Sequence, residues 1–160
     1  MKIKRPFINL LSFFMLLFTM VSCNPNRIYE KHIELSENIE WKKSDVKRFE
    51  IDIKDNAIPY DFYLAFRYAD GYPFTSVKLL LKEIQPDGTF EELPYELQLR
   101  NENGEYIGSP GFDIWDSEHL ILPKKIFPKN GKYVYEISHD MPLDPLPMVM
   151  EVGIIIEKAN

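Results

Sequence analysis

The sequence predicts an all-β protein: a single antiparallel β-sandwich, Ig-like or jelly-roll-like, standing behind an N-terminal export signal. Three observations carry that expectation. Apolar and polar residues alternate with a period of two in several stretches, as they do when one face of a strand is buried and the other is wet. Turn signals built on Pro, Gly, Asp and Asn punctuate the chain at even spacing. No stretch shows the 3.6-residue periodicity of a long amphipathic helix.

The first element is Met1 to Cys23. Lys2, Lys4 and Arg5 precede an apolar run from Phe7 to Val21, and Ser22 precedes the chain's one cysteine, Cys23. This is the order of regions in a secretory signal. The run is 15 residues long, short of the roughly 20 a helix needs to cross a bilayer, so a cleaved signal is expected rather than a membrane span. Met20-Val21-Ser22-Cys23 resembles the bacterial lipobox, whose cysteine is acylated and becomes the mature N-terminus. Each buried CH₂ of an acyl chain contributes about 0.8 kcal/mol, so two or three chains hold a protein permanently at a membrane. The expected organisation is a signal over 1–22, a lipidated cysteine and tether over 23–27, and the sandwich over 28–160. Five residues at about 3.5 Å each reach only some 18 Å, which keeps the domain close to its membrane.

The sandwich begins at Ile28 to Leu35. Trp41, between charged neighbours, is expected to cap a core edge. Phe49, Ile51 and Ile53 alternate with Arg48, Glu50 and Asp52 as a half-buried strand. In Tyr60 to Tyr68 both faces are bulky, so this strand is expected to be central, or to present Tyr63 and Arg67 to something. Val77 to Ile84 and Phe90 to Leu99 form a hairpin across Pro86-Asp87-Gly88, and Pro94 marks the second of them as an edge strand or bulge. Tyr106 to Trp115, broken by Gly108 and Pro110-Gly111, is expected to be irregular. A short strand over Leu120 to Leu122 ends at Pro123, the next contains Tyr133, Tyr135 and Ile137, and Val149 to Glu157 closes the domain. Pro142, Pro145 and Pro147 exclude a regular helix between the last two.

Charge and composition narrow the function. Without residues 1–22 the chain keeps 16 of its 19 basic residues and all 25 acidic ones, with no run of Lys or Arg. That balance argues against nucleic acid and anionic lipid headgroups as ligands. With Cys23 the sole cysteine, disulfides, thiol catalysis and cysteine-ligated metals are excluded. His32, His119 and His139 have no local metal spacing and are read as ordinary strand or loop histidines. Asp113, Asp116 and Glu118 crowd Trp115 but lack the ligand order of a calcium loop, and are read as solvated acids. No nucleophile elbow, zinc-protease helix, P-loop or dinucleotide fingerprint is present. The expectation is no enzyme, no catalytic residues, no metal and no cofactor. Tyr63, Arg67, Tyr72 and Phe74 are the residues expected to line a partner surface, since Tyr and Arg dominate interface hot spots.

Tyr29, Trp41, the Phe49 strand, Arg67 with Tyr72-Pro73-Phe74, the Gly104 to Gly111 segment, Gly131-Lys132-Tyr133, Met141 and Val152-Gly153 together resemble the gliding-motility-associated lipoprotein family GldH of the Bacteroidetes. The resemblance runs over nearly the whole chain. It departs at Pro142, where the family pattern has Arg, and at Ser76, near where it has Asn. It implies a non-catalytic lipoprotein that supports gliding and the type IX secretion apparatus. Its implied partners are the membrane, through the lipid anchor, and other envelope, gliding or secretion proteins. In such lipoproteins an acidic cluster after the cysteine marks export to the cell surface. Asn24-Pro25-Asn26-Arg27 has none, which implies an outer-membrane protein facing the periplasm. The alternative is a carbohydrate-binding β-sandwich lipoprotein, which would need an exposed aromatic platform.

Overall fold

The computed structural model describes residues 24–160, and every regular element among them is a β-strand. The proposed signal and Cys23 lie outside the described residues. Eleven strands follow in order: β1 (Arg27–Glu34), β2 (Glu40–Trp41), β3 (Lys47–Ile53), β4 (Tyr60–Ala69), β5 (Ser76–Ile84), β6 (Phe90–Gln98), β7 (Ser109–Pro110), β8 (Ile114–Lys125), β9 (Gly131–His139), β10 (Leu146–Pro147) and β11 (Val149–Lys158). All pairings are antiparallel. A five-stranded sheet ordered β1-β11-β4-β8-β7 packs on a four-stranded sheet ordered β3-β9-β5-β6, and β2 and β10 pair separately. The sandwich expected from the period of two is therefore the observed fold.

Alternation decides what is buried. In β3 Phe49, Ile51 and Ile53 point inward, and in β4 Phe62, Leu64, Phe66 and Tyr68 do the same. All seven join one core, in which Phe62 of one sheet meets Tyr135 of the other with ring centroids 4.8 Å apart. β4 is central in its sheet, flanked by β11 and β8. β6 is an edge strand, and Pro94, which has no N–H to donate, sits on it opposite Leu80.

Two expectations are corrected. Trp41 does not cap an edge: it is fully buried, its Nε1–H donating to the Asp45 carbonyl at 2.7 Å. Its ring lies 5.3 Å from that of His139, whose Nε2 is 3.0 Å from the Trp41 carbonyl. The charged flanks of Trp41 misled because β2 is only two residues long, too short for a periodicity to show. Second, the strand around Leu120 does not stop at Pro123 but runs twelve residues, Ile114–Lys125. The ladder to β4 slips between Tyr60 and Phe62, leaving Pro123 without a paired partner, and the Asp61 carboxylate accepts the N–H of Lys124 at 2.9 Å. The bulge removes the need for the hydrogen bond that proline lacks. The proline-rich stretch is not helical, as its prolines require, and it contributes β10, whose Leu146 pairs with Trp41 and is buried.

The meander gives the sandwich two poles. β1 starts level with the end of β11, which lies level with the start of β4 and the end of β8 (Arg27↔Glu157, Glu157↔Asp61, Tyr60↔Lys125). The N-terminal end of the described residues therefore leaves from the pole that holds the β3–β4 and β8–β9 loops. The β4–β5, β6–β7 and β7–β8 loops lie at the opposite pole.

Candidate partner-binding site

The four residues expected to form a surface fall in three environments. Tyr63 and Arg67 sit half-buried on the outer face of β4, as their odd positions require. Phe74, also half-buried, lies in the β4–β5 loop, at the wall of a groove of about 540 Å³ that also involves Lys43, Ser76, Asp140 and Pro142. Tyr72 is not on a surface. It is fully buried, ringed by Phe66, Tyr68 and Phe74 at centroid distances of 6.3, 5.7 and 5.8 Å. Its hydroxyl donates to the Ser76 carbonyl at 3.2 Å, and burial pushes that hydroxyl well above the ordinary tyrosine range. The Asp70-Gly71 turn brings the chain back over the core, so a residue that looks like a loop aromatic in sequence becomes a core aromatic.

Arg67 is held by its own sheet. Its Nε and Nη2 reach the two oxygens of Asp116 at 2.6 and 3.1 Å, and Nη1 donates to Glu151 Oε1. Register explains this: Glu151, Arg67 and Asp116 stand in one row across β11, β4 and β8. The fork of the guanidinium matches a carboxylate on each side. Asp116 raises the Arg67 value further above its ordinary range, against the opposing effect of burial. So Asp116, expected to be a solvated acid, is the bidentate partner of an arginine.

One row along, Gly153 and Ala65 are too small to fill the outer face, and a groove of about 320 Å³ forms between Glu30, His32, Arg67, Asp116 and Glu118. His32 lies over Gly153 so closely that a Cβ there would sit 2.7 Å from its Nδ1. The groove's rim is occupied by internal pairs. Arg27 bonds Glu30 at 2.8 Å and Glu157 at 2.9 Å, holding the Glu30 carboxyl below its usual range.

His139 and His119 are built into the fold. His139 is buried, receives the Met141 N–H on Nδ1 at 3.3 Å and meets the Trp41 carbonyl through Nε2. That pattern fits the neutral ring with its proton on Nε2, and burial lowers its affinity for a second proton. His119 is likewise lowered by burial.

What the sequence reading missed is the β7–β8 turn. Phe112 is 93% exposed there, the largest exposure among the big apolar side chains of the described residues. Its signal was present in Pro110-Gly111, two turn-forming residues followed by a bulky aromatic with no strand to belong to.

Residues 27–156 match the family model described as GldH lipoprotein. A gliding motility lipoprotein GldH homolog from Christiangramia forsetii is 26% identical over 93% of this chain and 96% of its own length. The gliding motility lipoprotein GldH of Flavobacterium johnsoniae is 26% identical over the full length of both. Among solved structures, a family GH115 4-O-methyl-alpha-glucuronidase aligns with 86% of this chain and 18% of its own, at 13% identity and a TM-score of 0.47. That likeness carries no argument. The family match spans the whole sandwich from β1 to β11, and the chain belongs to the GldH lipoprotein family.

Proposed function

We propose that this protein is an envelope lipoprotein, anchored by acyl chains on Cys23 to the periplasmic side of the outer membrane, that supports assembly of the gliding and type IX secretion machinery without turning over a substrate. The observation that carries the reading is the family match over residues 27–156, together with full-length relatives named for gliding motility. Three features of the chain support it. The signal ends on a solitary cysteine. The fold begins within a few residues of that cysteine, so a lipid there would confine the domain to a thin layer and raise its effective concentration for neighbours. Several groups that resemble catalytic side chains have structural partners: His139 is bonded through both ring nitrogens, and Asp116 and Glu151 hold Arg67.

A sugar-binding reading loses support from the burial of Tyr72, which takes one ring out of the expected platform. The test is to express residues 24–160 behind a non-lipidated signal in a deletion strain and to score release of type IX cargo, with gliding where the organism glides. Little rescue is expected. Full rescue at native abundance would refute the anchored-scaffold reading. Protease shaving of intact cells separates the leaflets: a periplasm-facing domain is protected.

A further inference from the structure

We infer that Phe112 anchors a protein-binding surface at the pole opposite the N-terminal attachment, and that the partner offers an apolar socket rimmed by Lys or Arg. The inference rests on the scaffold reading above and names where the scaffold's partner docks. Four observations lead to it.

The first is position. β8 begins two residues after Phe112 and ends at Lys125, on the pole from which the N-terminus leaves. Twelve residues of strand, at about 3.3 Å each, put Phe112 roughly 35 Å from that pole. An anchored domain standing on its attachment point holds Phe112 away from its own membrane.

The second is presentation. The turn is fixed at both ends: the Gly111 N–H donates to the Ile114 carbonyl at 2.8 Å, and the Asp70 N–H donates to the Asp113 carbonyl at 2.9 Å. Asp113 takes a left-handed conformation, φ 62°, to close it. Gly108 runs so close to the Asp116 backbone that a Cβ would collide with its carbonyl, and at Gly111 a Cβ would sit 2.6 Å from Ile114. Beneath the turn, Tyr106 stacks on Trp115 at 4.9 Å and the Arg100 guanidinium lies 4.3 Å from the Tyr106 ring. Phe112 thus has an ordered backbone and an almost fully exposed ring. Part of the ordering cost of binding is already met, which is what makes a rigid aromatic an effective anchor.

The third is charge. The loops at the pole that holds Phe112 carry Asp70, Glu102, Glu105 and Asp113. The nearby cation, Arg100, is engaged with Tyr106 and the Tyr72 carbonyl. An apolar tip on a pole whose loops carry carboxylates complements a basic protein surface and opposes an anionic bilayer. The fourth is contrast. Ile126, 56% exposed, belongs to the attachment pole, where Lys124 and Lys129 flank it, and serves as the control.

The experiment uses the full-length chain in a deletion strain, with abundance checked by immunoblot. Phe112→Ala at native abundance is expected to drop cargo release to the level of the deletion strain, while Ile126→Ala keeps it at wild type. A benzophenone amino acid at position 112 is expected to give a discrete adduct with another protein, lost when Glu102, Glu105 and Asp113 are changed together to Lys, and absent with the probe at position 126. Full cargo release by Phe112→Ala overturns the inference, whatever the probe captures. So does an adduct with lipid or with a second copy of this chain. Repeating Phe112→Ala in the unanchored 24–160 chain separates the two readings. If that chain rescues, anchoring is dispensable, and Phe112-dependence of the rescue still decides the surface.

Discussion

The outer face of the five-stranded sheet and the β7–β8 turn are opposites. The face is crowded with charge, yet its charges answer one another: Arg67 is taken by Asp116 and Glu151, and Arg27 by Glu30 and Glu157. The turn has one apolar ring and nothing upon it. A partner that wanted Arg67 would have to displace two carboxylates already within bonding distance, whereas a partner that wanted Phe112 would displace only water. Residue type alone favours the face. Availability, set by register across β11, β4 and β8, favours the turn.

The largest expected effect breaks the turn's support. Tyr68 is fully buried, with its hydroxyl 2.9 Å from the Leu99 carbonyl and 2.8 Å from that of Ile107, and burial pushes that hydroxyl up to about 12. These contacts tie the β6–β7 loop, and through it the hairpin, to the core. Tyr68→Ala should cost about 3–5 kcal/mol in urea melts, as other large-to-small aromatic changes do. Tyr68→Phe should cost about 1–2 kcal/mol for the lost hydroxyl alone. A cost below that for Tyr68→Ala would show that the loop is held elsewhere.

Next comes the face itself. Arg67→Ala removes the cation between Asp116 and Glu151 and leaves two carboxylates near each other, one of them with only 16% of its side chain exposed. A loss of about 1–2 kcal/mol is expected, between the worth of an exposed pair and the cost of breaking a buried one. Adding Asp116→Ala should recover part of it in a double-mutant cycle. Equal melting of wild type and Arg67→Ala would mean that the network is solvated and Arg67 is available after all.

Acid should separate interior from face. His139 and His119 bind protons less readily folded than unfolded, both lowered from 6.5 by burial. Below about pH 6.5 the unfolded chain takes up more protons, so stability falls as pH drops and levels off beneath the folded values. Glu30 works in the opposite sense of charge but the same direction of pH. Arg27 lowers it from 4.5, so its contribution is complete above that value and is lost as pH falls through the lowered one. Thermal melts between pH 7.5 and 3 should show the interior step first. His139→Gln should remove its own share of that step, leaving the His119 share and the later one. A single step confined to the carboxylate range would contradict the lowered values of both histidines.

How much of this was legible depended on the length of the element. Phe49 to Ile53 and Tyr60 to Tyr68 are long enough for a period of two to declare both strand and face, and the structure places them as read. Pro94 on an edge strand was legible because the ladder forbids it elsewhere. Trp41 and Leu146 were not, since a two-residue strand has no period and its burial is decided by distant partners. Tyr72 was lost for a related reason: nothing local says which way a loop folds back. The Arg67 pairing needed register, because Asp116 and Glu151 lie far from it in sequence. Family membership was legible from scattered positions over nearly the whole chain, and the match over 27–156 agrees.

The smallest expected effect is at Phe112 itself, and it sharpens the comparison most. Its ring is 93% exposed, and the bonds that hold the turn run through backbone atoms of Gly111, Ile114, Asp70 and Asp113. Truncation to Ala removes almost no buried area and no hydrogen bond, and Phe112 has no positive φ. Phe112→Ala should therefore stay within about 0.5 kcal/mol of wild type in the same urea melts. A cost near 2 kcal/mol would show that the ring packs on its own domain, and Phe112 would then belong with Tyr68 as support. An unchanged melt leaves an ordered turn holding an apolar ring in water, for which folding alone supplies no reason.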